Sequence, residues 1–230
     1  MNEKVTINIT HLINPFPAKP GSEHDRAQRV TFASMRRAVT EAQQAGVEVE
    51  VLAAVLPGDE SAVEPPGRCI AELNRTVADL VDLQPRRPLP LIADLLGIGG
   101  DHGRGELLVY TNIDIALQPH FYVRLAERAD APGCKRPLII NRRTIPGHYT
   151  GPEQLEQMYR ESGAAHPGFD CFVFPRTWVK QMSLGETCIG AMWFDGLIAA
   201  NLDILSGFQL DIYKDEHLTF HIGDEKNWFS

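Results

Sequence analysis

Apolar and polar positions recur along this chain with two periods, one near two residues and one near 3.6, and their alternation predicts an α/β fold. Residues 5–9 alternate β-branched and polar side chains and predict a strand, and residues 11–20, with Pro15, Pro17 and Pro20, predict a loop at its end. Residues 27–45 place Val30, Ala33, Ser34, Ala38 and Ala42 at helical spacing and run into Gly46, a helix stop. Residues 47–56 then predict a second strand. A strand, loop, helix and strand in that order imply a right-handed crossover and a parallel sheet.

Further along, residues 68–83 predict a helix, residues 88–96 a shorter one, and residues 97–105 a glycine-rich turn region. The run Gly97-Ile98-Gly99-Gly100 follows a helical pattern and lacks a Gly-Lys-Ser or Gly-Lys-Thr ending, so it does not read as a phosphate-cradling loop. Residues 106–111 predict a buried strand with a polar exit, residues 119–129 a helix starting at a proline, and residues 137–141 a strand. Residues 151–161 predict a short amphipathic helix and residues 171–174 a strand. Residues 191–205 predict a helix or strand-to-helix segment, and residues 218–222 the last strand. This order suits a nucleotide-binding half followed by an acceptor-binding half in one compact domain.

Composition narrows the class. A chain of 230 residues with 43% hydrophobic and 23% charged residues is long enough to bury a core and is not disordered in composition. A net charge of −8 and an isoelectric point near 5.5 leave no basic footprint, which argues against nucleic acid as a partner. Met1-Asn2-Glu3-Lys4-Val5 does not open a secretory signal, so a cytoplasmic location is expected. The longest apolar run, residues 190–205, is interrupted by Asp195, Asn201 and Asp203, so no integral membrane segment is expected. Cys69, Cys134, Cys171 and Cys188 have no paired spacing and read as buried thiols.

In an open α/β sheet the ligand crevice lies beyond the carboxyl ends of the strands, so polar residues there carry the candidate chemistry. Asn112 and Asp114 follow one strand, where they present two oxygen ligands to a hard cation or cap the turn and the helix after Pro119. His221 and Asp224 follow the last strand, with Trp228 beyond; His221 is a metal ligand or a hydrogen-bonded structural residue. Asp170, in His166-Pro167-Gly168-Phe169-Asp170, binds a substrate hydroxyl or closes a turn. Asp195, beside Trp193 and Phe194, is a general base or the cap of a helix over residues 197–205. Arg142 and Arg143 clamp phosphates or lie on the surface.

Taken together, Tyr110-Thr111-Asn112-Ile113-Asp114-Ile115 followed by Pro119-His120-Phe121-Tyr122 resembles the metal-binding strand exit of nucleotide-sugar glycosyltransferases with the GT-A fold. The family pattern there is Asp-x-Asp or a variant such as Asn-x-Asp. The resemblance extends to Asn14-Pro15-Phe16, where a strand end meets the nucleotide, and to His221, which matches a late histidine that completes the metal site. Asp195 falls where such enzymes keep an acidic acceptor-side residue.

What the resemblance implies is a single compact GT-A-like, Rossmann-like α/β domain with a mostly parallel central sheet flanked by helices. Its nucleotide-binding half covers about residues 1–125 and its acceptor-binding half about residues 126–230. It further implies transfer of a sugar from a nucleoside diphosphate sugar to a small-molecule or glycan acceptor. Asp114, Asn112 and His221 would hold Mn²⁺ or Mg²⁺, which stabilises the leaving diphosphate. Asn14, Asn112, Arg142 and Arg143 would bind the nucleotide, Asp195 would deprotonate the acceptor hydroxyl, and Asp170 would help to bind it. Two other readings stay open: a catalytically silent module that binds nucleotide, sugar or a protein, and a metal-dependent nucleotidyltransferase. The latter's glycine-rich, basic first loop is missing, since residues 11–20 contain only Lys19 and no glycine.

Overall fold

The computed structural model describes residues 7–82, 84–129 and 136–223. Cys134, Asp224 and Trp228 therefore lie outside the described residues, as do the first two residues of the strand expected over residues 5–9.

The first strand, β1 (Asn8–Ile13), runs into the stretch expected to be a loop. The reason is tertiary. His11 is fully buried, with Nδ1 2.8 Å from the Tyr122 hydroxyl and Nε2 2.9 Å from Thr111 Oγ1. A polar residue whose two ring nitrogens are both partnered is tolerated inside a sheet. Burial pushes its pKa down to about 3, so the ring is neutral. Helix α1 (Glu23–Gln44) begins four residues before the expected start because Ser22 caps it, its side chain accepting from Asp25 N at 3.2 Å. Glu23 and Asp25 in its first turn complement the helix dipole. It ends before Gly46, whose φ of 76° favours a residue without Cβ.

Strand β2 (Glu48–Ala54) follows, and then β3 (Gly67–Ile70), where a helix over residues 68–83 was expected. Pairing with β2, Leu52 opposite Arg68 and Ala53 opposite Cys69, overrides the helical periodicity. Thr76 and Asp79 then lock a single 3₁₀ turn, with Thr76 N and Oγ1 both donating to Asp79 Oδ2 at 2.8 Å. Helix α2 (Ile92–His102) starts later than the expected 88–96 and passes straight through the glycine run. Its start is delayed because Pro90 and Leu91 are held in β-bridges to Thr76 and Cys188. Gly99 lets it lie close on the sheet: a Cβ there would sit 2.9 Å from Leu12 Cδ2 and 3.2 Å from both Leu108 methyls.

The remaining elements are β4 (Leu107–Thr111), β5 (Ala116–Leu117), α3 (Phe121–Ala129), β6 (Leu138–Ile140), β7 (Arg143–Ile145), α4 (Leu155–Met158), β8 (Ala164–Ala165), β9 (Cys171–Pro175), α5 (Phe194–Leu205), β10 (Asp211–Tyr213) and β11 (Thr219–Ile222). Strands β5, β7, β8 and β10 have two or three residues each, too short for a period-two signal. The expected helix over residues 151–161 is a 3₁₀ turn running into α4.

Among the described residues, seven strands form a central sheet in the order β10-β6-β9-β4-β1-β2-β3, parallel except for β9. Four more form a second sheet in the order β5-β11-β7-β8. Side chains alternate across the central sheet. Ile9, Ile13, Val51, Val109 and Val173 pack under α1 and α3, while Leu12, Leu52, Leu108, Phe172 and Phe174 pack under α2 and α5. The sheet is thus covered on both faces, as a mostly parallel sheet requires. Cys171 and Cys188 are buried and Cys69 is half-buried. Among the described residues, no helix is long and apolar enough to cross a membrane.

Candidate functional site

Strand pairing decides which ends of the sequence meet. Thr111, the last residue of β4, lies opposite Cys171, the first of β9, and Ile140, the last of β6, lies opposite Cys171 as well. Asn112, Asn141 and Asp170 therefore leave the sheet at one edge, where β1 ends in Ile13 and Asn14. Beyond β4 the chain turns, with Ile115 N donating to the Asn112 carbonyl at 3.2 Å, and enters β5. Because β5 pairs antiparallel with β11, Ala116 opposite Phe220, His221 is delivered to the same turn.

The result is a half-buried pair: His221 Nε2 lies 3.4 Å from Asp114 Oδ2. On its other side the ring is held by Nδ1–H, which donates to the Gly223 carbonyl at 2.7 Å. Burial alone would lower the His221 pKa, but the Asp114 carboxylate outweighs it and holds the imidazolium above its ordinary value. Burial likewise opposes ionisation of Asp114, and the hydrogen bond and charge of His221, with the charge of Arg142, turn the net shift downward. Asp114 Oδ1 is buried and has no hydrogen-bond partner among the described residues.

Next to this pair lies a second one. Arg142 Nη1 donates to Asp170 Oδ1 at 3.0 Å, with 12% and 8% of the two side chains exposed. Burial raises the Asp170 pKa from 3.8 to about 6; Arg142 and His221 pull it down, and Asp114 and Asp195 push it further up. Those influences place Asp114, His221, Arg142, Asp170 and Asp195 in one electrostatic cluster. Asp195 sits in the first turn of α5, where it makes no cap hydrogen bond to the helix; its Oδ2 accepts instead from Phe169 N at 3.2 Å. The helix begins at Phe194 rather than at residue 197, so the carboxylate faces the loop before β9 rather than the helix end.

The other expected site residues stand apart from that cluster to different degrees. Asn112, two residues before Asp114, is turned toward β4, its Oδ1 accepting from the Tyr110 hydroxyl at 3.1 Å. Asn14 Nδ2 donates to the Ala54 carbonyl at 2.7 Å, tying the ends of β1 and β2. Arg143 points elsewhere, its guanidinium donating to the carbonyls of Ser162 at 3.0 Å and Gly163 at 2.7 Å. Arg143 opens β7 opposite Ala165 of β8, which sets its side chain beside the Ser162-Gly163 turn, whereas Arg142 precedes the strand. His166 is a residue the sequence reading passed over as a site member: Nε2 lies 4.0 Å from Asp170 Oδ2, and its carbonyl accepts from Asn141 Nδ2 at 2.9 Å. Its four-residue spacing from Asp170 across a Pro-Gly turn was the available signal.

The residues present fit a divalent cation. A buried carboxylate oxygen without a partner, beside an imidazole whose far nitrogen is oriented by a carbonyl, is an O,N donor set suited to Mn²⁺ or Mg²⁺. Among the described residues no group of three or more His, Cys, Asp or Glu side chains is placed to hold a metal ion, so further ligands would come from phosphate oxygens and water.

No family model matches the chain, and no curated protein matches it. Solved structures do. Glucosyl-3-phosphoglycerate synthase from Mycobacterium tuberculosis, in complex with Mg²⁺ and UDP, is similar with a TM-score of 0.55 and 14% identity, over 96% of this chain and 74% of that one. The mannosyltransferase PcManGT from Pyrobaculum calidifontis, in complex with GDP-Man and Mn²⁺, gives 0.58 and 15%, over 97% of this chain and 59% of that one. TarS from S. aureus, in complex with UDP-GlcNAc, gives 0.57 and 11%, over 96% of this chain and 60% of that one. At such identities the likeness is one of fold, and over nearly its whole length this chain has the GT-A fold of nucleotide-sugar glycosyltransferases.

Proposed function

We propose that the chain is a metal-dependent glycosyltransferase that moves a sugar from a nucleoside diphosphate sugar to an acceptor hydroxyl. The observation that carries this reading is the Asp114–His221 pair with its orphaned Asp114 Oδ1, set at the carboxyl edge of the sheet beside Arg142, Asp170 and Asp195. The fold's neighbours named above, bound to UDP, GDP-Man or UDP-GlcNAc and to Mg²⁺ or Mn²⁺, support the same class of donor.

Asp114 and His221 hold Mn²⁺ or Mg²⁺, with Asn112 beside them. When bound, the ion supplies Lewis-acid stabilisation of the leaving diphosphate. Arg142 orients diphosphate oxygens while remaining paired with Asp170, and Asn14 lines the nucleotide side at the end of β1. Arg143 braces the turn at Ser162 and Gly163 that leads into the His166–Asp170 loop. Asp195 accepts the proton of the acceptor hydroxyl as the oxygen attacks the anomeric carbon, and Asp170 helps to hold that acceptor.

The test is calorimetry with UDP, GDP and their sugars, with and without Mn²⁺, followed by an assay for released nucleoside diphosphate. Metal-enhanced binding with release that depends on an added acceptor supports the reading. Equal affinity with and without metal, and no release with any sugar nucleotide, overturns it.

A further inference from the structure

Strand β10 is one border of the central sheet, and its pairing with β6 settles where its backbone points. Asp211 N donates to the Pro137 carbonyl at 3.1 Å, and the Tyr213 carbonyl accepts from Asn141 N at 2.9 Å, so residues 211 and 213 turn their backbone groups toward β6. Ile212, between them, directs its N–H and C=O outward, where no strand among the described residues takes them up. An edge of this kind is a template for pairing with another chain.

Alternation also fixes what flanks the edge. Arg128 Nη2 donates to Asp211 Oδ2 at 2.7 Å, and the same guanidinium lies 5.9 Å over the Tyr213 ring, so both residues face α3 and Ile212 faces the α5 side. Helix α5 ends in a turn closed by Gly207 N on the Ile204 carbonyl at 3.0 Å and Phe208 N on the Asp203 carbonyl at 2.7 Å, and the chain then enters β10. Ile204, Phe208 and Ile212, which are 65%, 79% and 39% exposed, belong to this one stretch. Scattered apolar residues at a surface are ordinary, whereas several gathered along an open edge strand mark an interface.

The occupant follows from the backbone and from charge. A donor and an acceptor on one residue complement themselves about a twofold axis: two copies of Ile212 set antiparallel exchange both hydrogen bonds. In that register Asp211 lies opposite the partner's Tyr213 and Lys214 opposite the partner's Leu210, so no like charges meet. A shift by one residue breaks the exchange. A shift by two sets Asp211 opposite the partner's Asp211 or the partner's Asp215, which like-charge repulsion disfavours.

We propose that β10 pairs antiparallel with β10 of a second copy of this chain, with Ile212 on the twofold axis. The central sheet then runs through both protomers with the two α5 helices on one of its faces. Because β10 runs toward the carboxyl edge beside β6, the two candidate sites point in opposite directions and both stay open. The pairing is independent of the glycosyl-transfer reading.

Sedimentation velocity of the full chain over micromolar to sub-millimolar concentration tests it. The expected result is a reversible monomer–dimer equilibrium with a Kd in the micromolar range, as befits a small interface. Ile212→Pro deletes only the outward N–H, a position where an edge strand tolerates proline, and Ile212→Lys sets two ammonium groups face to face on the axis. Each should raise the Kd at least about 10-fold, since like charges or a lost ladder bond at the centre of an interface are strongly disfavoured. Ile212→Val, which keeps both backbone groups, should change it little. Thermal melting at concentrations below the wild-type Kd confirms that all three variants fold. Under mild oxidation Ile212→Cys should form a covalent dimer ahead of the wild type, because the Cα atoms of a hydrogen-bonded antiparallel pair lie about 5.5 Å apart. A monomer at every concentration, a mass that climbs past the dimer as a head-to-tail contact would make it, or a dimer indifferent to both Ile212→Pro and Ile212→Lys overturns the inference.

Discussion

His221 Nε2 stands 3.4 Å from Asp114 Oδ2 although the first lies in β11 and the second beyond the end of β4, two strands that do not pair with one another. The two-residue strand β5 makes the connection, since it begins two residues after Asp114 and pairs with β11. The pair forms through a topology that joins the central sheet to the smaller one.

If that pair holds the cation, Asp114→Asn uncouples metal from nucleotide. In the wild type Mn²⁺ should raise UDP or GDP affinity by a factor within about 5 to 150, the range of typical couplings between two ligands. In the variant most of that gain should vanish while the metal-free affinity stays the same. Calorimetry at matched ionic strength measures both, and an undiminished Mn²⁺ effect in Asp114→Asn would remove Asp114 from the metal site.

Asp195→Asn separates chemistry from structure. The amide oxygen still accepts from Phe169 N, so the fold and nucleotide affinity should hold. Turnover should fall about 10²-fold or more, the usual contribution of a general base. A folded variant with wild-type turnover rules out the proton-accepting role.

Asp170 gives a pH signature. Its folded-state pKa, about 6, lies above the unfolded value of 3.8, so its contribution to stability is fully present below 3.8 and is lost as pH rises through about 6. A displacement of that size corresponds to about 3 kcal/mol. Asp170→Asn lacks this titration, so whatever its baseline, its stability relative to wild type should climb by up to that amount between about pH 4 and pH 7. In melting curves the Tm difference should grow by roughly 6 °C or more over the same window. A pH-independent difference would show that Asp170 titrates normally.

The glycines of and around α2 should respond in opposite directions. A Cβ at Gly97 meets nothing within 4 Å, so Gly97→Ala should stabilise the helix by about 0.5–1 kcal/mol. A Cβ at Gly105 would lie 2.3 Å from Thr10 N and 2.6 Å from Ile9 C, backbone that cannot move without parting β1 from the start of β4. Gly105→Ala should cost about 1–3 kcal/mol or more. Urea titration of both variants checks the sign, and a neutral Gly105→Ala would contradict this packing.

What the sequence by itself determined were the elements whose signal is local and long enough to repeat. The apolar spacing from Val30 to Ala42 with a stop at Gly46, the buried strand ending at Thr111 and the polar exit through Asn112 and Asp114 are of this kind. So are a carboxyl-edge location for candidate chemistry and a resemblance to the GT-A strand exit. Tertiary structure decided wherever two local preferences tied or a partner was remote. Residues 68–70 have a helical pattern but became a strand because β2 offered them an open edge. The run from Gly97 to Gly100 looks like a turn, yet it is helical because the sheet beneath leaves room for no side chain at Gly99. Arg142 and Arg143 are equivalent as letters; only the fold, in which β7 begins at Arg143 and pairs it with β8, sends one to Asp170 and the other to Ser162 and Gly163. The pairing of His221 with Asp114, and the burial that lifts Asp170 to about 6, exist only once strands distant in the chain share an edge, because burial and Coulomb energy depend on distance in space.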